Sequence, residues 1–316
     1  MKRKGNLYHQ ICEMENLILA EKKARKGKKD QYGVKAFDKN RIPNLLHLQS
    51  MLIDRTYKTS EYARFIIYEP KEREIFRLPY FPDRIAHHAV MNIIEKNFVS
   101  VFTADTYSCI KGRGIHGAAY AVQRAMRNEQ KTKYCLKLDI KKFYPSIDHD
   151  ILKYLLRKKF KDNNLLWLLD EIIDSAPGVP IGNYLSQYFA NFYLTYFDHW
   201  IKEELGVEHY YRYADDIVIF SDNKEFLHQA LRKIREYLKA HLKLEVKDNY
   251  QVFLVSARGV DFVGYRFFHK YILLRKSIKQ NFARMLVYRK NAASIASYNG
   301  WLSHCNSYNL QKKLLQ

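Results

Sequence analysis

The chain has 316 residues, 47% of them hydrophobic, enough for one large domain or two to three packed subdomains and too apolar for disorder to be the default. Its 54 Lys and Arg against 33 Asp and Glu leave a formal charge of +21, which calls for a polyanion or an anionic surface, nucleic acid being the commonest. Cys12, Cys109, Cys135 and Cys305 form no CxxC pair, which argues against a zinc site and a disulfide framework and fits a reducing cytoplasm. The start, MKRKGNLYHQ, lacks the apolar run of a signal peptide, and no stretch approaches the ~18–20 apolar residues of a membrane span, so a soluble cytoplasmic protein is expected.

Residues 1–60 open with helical spacing at Ile11, Met14, Leu17 and Ile18, followed by the cations Lys22, Lys23, Arg25, Lys26, Lys28 and Lys29. Residues 64–77 look extended, with turn chemistry in EPKERE, and predict a hairpin. Pro82 and Asp83 then open a helix with apolar positions at Ala86, Ala89, Val90, Ile93 and Ile94. Residues 134–140 alternate: Tyr134, Leu136, Leu138 and Ile140 on one face, Cys135, Lys137 and Asp139 on the other. Two amphipathic helices follow, and the loop APGVPIG (176–182) leads into a third that runs through Phe192. Short strands HYYRY and IVIF meet at Ala214-Asp215-Asp216, a long amphipathic helix comes next, and strands are expected at Val252–Val255 and across Asp261–Phe268. No acidic residue lies beyond Asp261, while Arg266, Lys270, Arg275, Lys276, Lys279 and Arg284 are among the cations there. Helices and strands mix without βαβ regularity, which predicts an α+β fold.

RYADDIVIF carries the sharpest chemistry. Two adjacent carboxylates between apolar strands repel each other, burial raises that cost, and a divalent cation relieves it. A bare Asp-Asp also fits an exposed polar turn. Asp139 shifts the balance, because a carboxylate on an otherwise apolar strand needs a partner, and an ion shared with Asp215 supplies one. Together Asp139, Asp215 and Asp216, with the Ile140 backbone carbonyl, could hold two Mg²⁺ for in-line attack by a 3′-hydroxyl.

In order along the chain, these motifs resemble the reverse transcriptase family from about Arg64 onward. RFIIYEPKEREIFRLPYFPDR resembles the fingers hairpin, implying that Lys71 and Arg77 grip an incoming dNTP. YSCIKGRGIHGA resembles the next block, LDIKKFYPSIDH the first catalytic motif, and RYADD the YxDD motif. LKLEVKDN resembles the segment whose lysine, here Lys247, protonates the leaving pyrophosphate, and GVDFVGYRF resembles the primer-grip turn. The resemblance implies that Tyr144 packs under the sugar and rejects a ribose 2′-hydroxyl. It also implies a right-hand polymerase fold: a basic helical extension over 1–60, fingers over 61–95 and 148–177, palm over 96–147 and 178–264, and a small helical thumb over 265–316.

Most of the family carries Gln-Gly-x-x-x-Ser-Pro before the nucleotide-pocket helix, whereas this chain has Ile181-Gly182 and, in place of the proline, Gln187. That departure resembles the reverse transcriptases of diversity-generating retroelements, as do the compact length and SYNGWLSHCNSYNL near the end. These enzymes copy a template-repeat RNA with errors mainly at template adenines and act with a small basic helical accessory protein that forms a ring. Losing the glutamine's hydrogen bond is worth ~0.5–1.5 kcal/mol, a few-fold to tenfold in selectivity. Alternative readings are a defence-associated or group II intron-like reverse transcriptase, or a non-catalytic RNA-binding protein on a polymerase fold.

Overall fold

The computed structural model describes residues 3–68, 72–288 and 291–315. Its helices and antiparallel sheets form an α+β chain that divides into two compact units. The first holds residues 1–102, 142–196 and 242–244; the second holds 103–141, 197–241 and 245–316.

In the first unit, the helix Met14–Ala24 packs on Ile85–Val99, with Leu17 and Ala20 buried on the first and Ala89 and Val90 buried on the second. Asp162 ties the unit's two halves together. It caps the helix Asn163–Asp174 through Leu165 N, and its other oxygen accepts from the amides of Leu7 (2.7 Å) and Tyr8 (3.0 Å). Phe98 anchors the core, with rings of Phe160 and Phe192 at 5.7 and 5.1 Å. The basic run is not wholly a solvated face: Arg25 pairs with buried Glu21 and with Asp38, and Lys23 donates to Asn92. Strands β1 (Ala63–Ile67) and β2 (Arg73–Arg77) pair antiparallel as the two arms of the expected hairpin, whose turn at 69–71 lies outside the described residues.

The second unit is built on a four-stranded antiparallel sheet in the order β4-β5-β3-β6, where β3 is Tyr134–Asp139, β4 His209–Tyr213, β5 Asp216–Ser221 and β6 Gln251–Leu254. The helix Gly114–Met126 buries Ala118, Val122 and Met126 in the same core as Val218 and Phe220 of β5. A three-stranded sheet of β7 (Val260–Phe262), β8 (Tyr265–Phe267) and β9 (Ile272–Leu274) adjoins the helices Lys276–Tyr288 and Ala292–Leu302 through Phe282 and Leu302 in the shared core.

The strands expected across Asp261–Phe268 form a hairpin turning at Val263 (φ 41°) and Gly264 (φ 90°), a turn that the primer-grip resemblance implies and the alternation of residues does not show. An apolar valine at a left-handed position hides the turn from a hydrophobicity pattern. Strand β9 was not anticipated. At three residues it is too short for periodicity to register, and Asn306 secures it by accepting from Ile272 N and donating to Ile272 O.

Candidate active site

Strand register brings the acidic residues together. Asp139, the last residue of β3, stands directly opposite Asp216, the first of β5, so both carboxylates leave the same face of the sheet. Asp215 occupies the β4–β5 turn beside Ala214, whose φ is 55°, and its carbonyl accepts from Ile140 N at 3.3 Å. Like charges opposed across a strand pair are destabilising, and here cations answer them. The Lys247 ammonium donates to Asp139 Oδ1 while its amide donates to Asp139 O, and Lys137 Nζ lies 3.6 Å from Asp216 Oδ1. Arg275, paired with Asp261, adds positive potential at Asp216.

Burial, and after it the neighbouring Asp139 carboxylate, pushes the Asp215 carboxyl up to about 6. Burial likewise pushes Asp216 up to about 6, with Lys137 working against the rise. Asp216 Oδ1 is buried without a hydrogen-bond partner among the described residues. An orphaned carboxylate oxygen, with two further carboxylates on the same face and turn, is a hard-oxygen donor set that fits a divalent cation. Among the described residues no three His, Cys, Asp or Glu side chains already stand grouped to hold one, and Asp139 is turned to Lys247.

The other expected residues lie in the first unit. Arg77 ends β2 exposed, and Lys71 lies outside the described residues. The Ile181 carbonyl accepts from Phe76 N at 2.9 Å, and Gly182, at φ 121°, packs so close to Phe76 O that a Cβ would meet it at 2.5 Å. The same loop holds Tyr144, whose carbonyl accepts from Val179 N at 2.9 Å, while Gly178 sits where a Cβ would meet Pro145 O at 2.6 Å. Hairpin, loop and the short turn at Tyr144–Ser146 are thus joined through the backbone around Arg77, Tyr144, Ile181 and Gly182. His87 is buried and His88 stacks on Tyr184 at 4.5 Å.

Sequence reading assigned no role to Lys137, Asp198 or Arg212. Lys137 was visible on the Asp139 face of β3. Arg212 carries its own signal, an arginine inside the apolar run HYYRYA, because a buried guanidinium demands a paired carboxylate. Which carboxylate supplies it, Asp198 on the preceding helix Thr195–Glu203, is a tertiary fact.

Residues 70–267 match the family described as reverse transcriptase (RNA-dependent DNA polymerase). The chain is 24% identical over 264 residues to a retron Ec73 reverse transcriptase of Escherichia coli, covering 74% of this chain and 81% of that one. It is 25% identical over 216 residues to the group II intron-encoded protein LtrA of Lactococcus lactis subsp. cremoris, covering 64% and 34%. Among solved structures it resembles telomerase from Candida albicans in complex with a fragment of telomeric RNA, with a TM-score of 0.52, 10% identity and 74% of this chain aligned. It spans 51% of that telomerase chain. The fold is the right-hand polymerase fold, and the acidic turn lies within the matched span. This chain belongs to the reverse transcriptase family, the RNA-directed DNA polymerases. No helix among the described residues is long and apolar enough to cross a membrane, and all four cysteines are free.

Proposed function

We propose that the chain copies a template-repeat RNA into cDNA for a diversity-generating retroelement, with low fidelity at template adenines. The observation that carries the polymerase part is the register pairing of Asp139 with Asp216 beside the Asp215 turn. Asp139, Asp215, Asp216 and the Ile140 carbonyl are assigned as ligands. Two Mg²⁺ bound there would activate the primer 3′-hydroxyl and offset charge on the leaving pyrophosphate. Lys71 and Arg77 are assigned to the triphosphate, and the Tyr144 ring to exclusion of a 2′-hydroxyl. Lys247, whose ammonium already reaches Asp139, is assigned to proton delivery to pyrophosphate. The fingers, palm and thumb boundaries given from the resemblance are kept as assignments, and a small basic helical accessory protein is the assigned partner in a cytoplasmic setting.

Subfamily rests on position 181. Ile181 is fixed through its backbone to the β1–β2 hairpin, yet its side chain has no hydrogen-bonding group to test base-pair geometry. Primer extension on RNA templates with Mg²⁺ and dNTPs tests both levels. RNA-templated DNA with errors concentrated at template adenines is the expected product, and Ile181→Gln should lower those errors a few-fold to tenfold, about one hydrogen bond's worth. An error spectrum unchanged by the substitution removes Ile181 from the account. The matches to retron and group II intron proteins favour a second reading, the same chemistry on a different template; uniform errors at all four bases would support it.

A further inference from the structure

We propose that Arg212 is a positioning residue: held by a buried ion pair with Asp198, it braces the Ala214 carbonyl and fixes the turn that presents Asp215. The inference rests on the reading of Asp215 as a metal ligand. Arg212 and Asp198 side chains are both 0% exposed. The guanidinium grips the carboxylate with two arms, Nε to Oδ1 at 2.7 Å and Nη2 to Oδ2 at 2.5 Å. Thr106 Oγ1 (3.0 Å) and the Tyr210 hydroxyl (2.6 Å) also donate to that carboxylate, without touching the arm that reaches Ala214. The backbone of Arg212 is pinned as well, its amide donating to Asp105 O and its carbonyl accepting from Tyr107 N, each at 3.0 Å.

The third arm leaves this network. Arg212 Nη1 donates to Ala214 O at 3.0 Å. Ala214 is left-handed, at φ 55°, a conformation that an alanine does not favour and that its surroundings must enforce. The next carbonyl, that of Asp215, accepts from Ile140 N, so the turn is held from both sides: by Arg212 at residue 214 and by β3's continuation at residue 215. A buried ion pair is a weak route to stability, since apolar replacements of equal volume often do as well. What this pair supplies is direction. Only a planar fork can hold a carboxylate with two donors and aim another at a carbonyl; a lysine offers one point charge.

Truncating Arg212 alone strands the Asp198 charge, so the test uses the uncharged double variant Asp198→Asn/Arg212→Gln, with Arg212→Lys and the control Tyr210→Phe. Three readouts are taken: cooperative melting, hydrogen exchange of the Ile140 amide without Mg²⁺, and steady-state primer extension with Mg²⁺. In the double variant and in Arg212→Lys we expect cooperative melting and Ile140 exchange faster by about tenfold, one lost hydrogen bond. We also expect kcat to fall at least ~10-fold while the KM for dNTP changes less than ~3-fold, the mark of a misplaced reacting group rather than lost substrate binding. Tyr210→Phe should melt lower yet keep the exchange rate and kcat. A folded double variant with wild-type exchange overturns the brace, and so does a Tyr210→Phe variant that loses kcat equally. If wild-type protein extends no primer, the polymerase reading fails on its own, while the exchange comparison still decides the brace.

Discussion

Asp215 and Asp216 are carboxyls raised to about 6, each by burial first, against an unperturbed value of ~3.9. A carboxyl raised in the folded state binds its proton more tightly there than when unfolded. Its contribution is therefore complete below about pH 4 and is lost as pH rises through about 6. With divalent ions chelated, Asp216→Asn should accordingly melt higher than wild type at pH 7.5, by ~1–3 kcal/mol, since each tenfold change in proton affinity is worth ~1.4 kcal/mol. The difference should vanish near pH 4, and Mg²⁺ at pH 7.5 should stabilise the wild type more than the variant. Equal melting at both pH values would mean that Asp216 is not under strain. At this scale the sequence was informative where a residue contradicts its neighbours: an aspartate ending an apolar strand, or two adjacent in a turn. It was silent about Lys137 and Asp198, whose importance comes from partners 79 and 14 positions away, at Asp216 and Arg212.

Among the elements, the loop between residues 176 and 182 does the most with the least regular structure. Its Pro and Gly content announces a loop, but not that Gly178 packs on the Tyr144–Ser146 turn or that Gly182 packs on β2. Both glycines have positive φ and a backbone carbonyl where a Cβ would lie, so neither strain nor crowding can be relieved by a side-chain rotation. Gly182→Ala should cost roughly 2–4 kcal/mol of stability or displace the β1–β2 hairpin. In the second case KM for dNTP should rise while melting stays close to wild type. An alanine variant normal in both respects would show that this approach is not needed. The β7–β8 turn teaches the complementary lesson: the apolar pattern across 261–268 gives the strands, while their reversal at Val263-Gly264 is legible only through the primer-grip resemblance of GVDFVGYRF, since Val carries no turn signal.

Over the whole molecule, charge and topology were legible to different degrees. The α+β class followed from mixed periodicities, and the order of motifs placed the sheet that carries the acidic turn. The sheet order β4-β5-β3-β6 could not be read, because pairing of β3 with strands some 80 (β5) and some 115 (β6) residues away is decided by packing rather than by local pattern. A formal +21 makes a salt prediction direct. If six to ten phosphates are neutralised, affinity for an RNA–DNA duplex should fall by about 10³–10⁵ between 50 and 200 mM salt, and a flat dependence would leave the charge excess without a purpose. Whether the Asp215 carboxylate serves polymerisation is measured by primer extension on an RNA template with Mg²⁺, comparing wild type with Asp215→Asn. Full-length DNA is expected from the wild type, and a loss of at least ~100-fold from a folded, template-binding variant, on the scale of removing a key electrostatic group. An Asp215→Asn protein that extends at the wild-type rate would contradict that role.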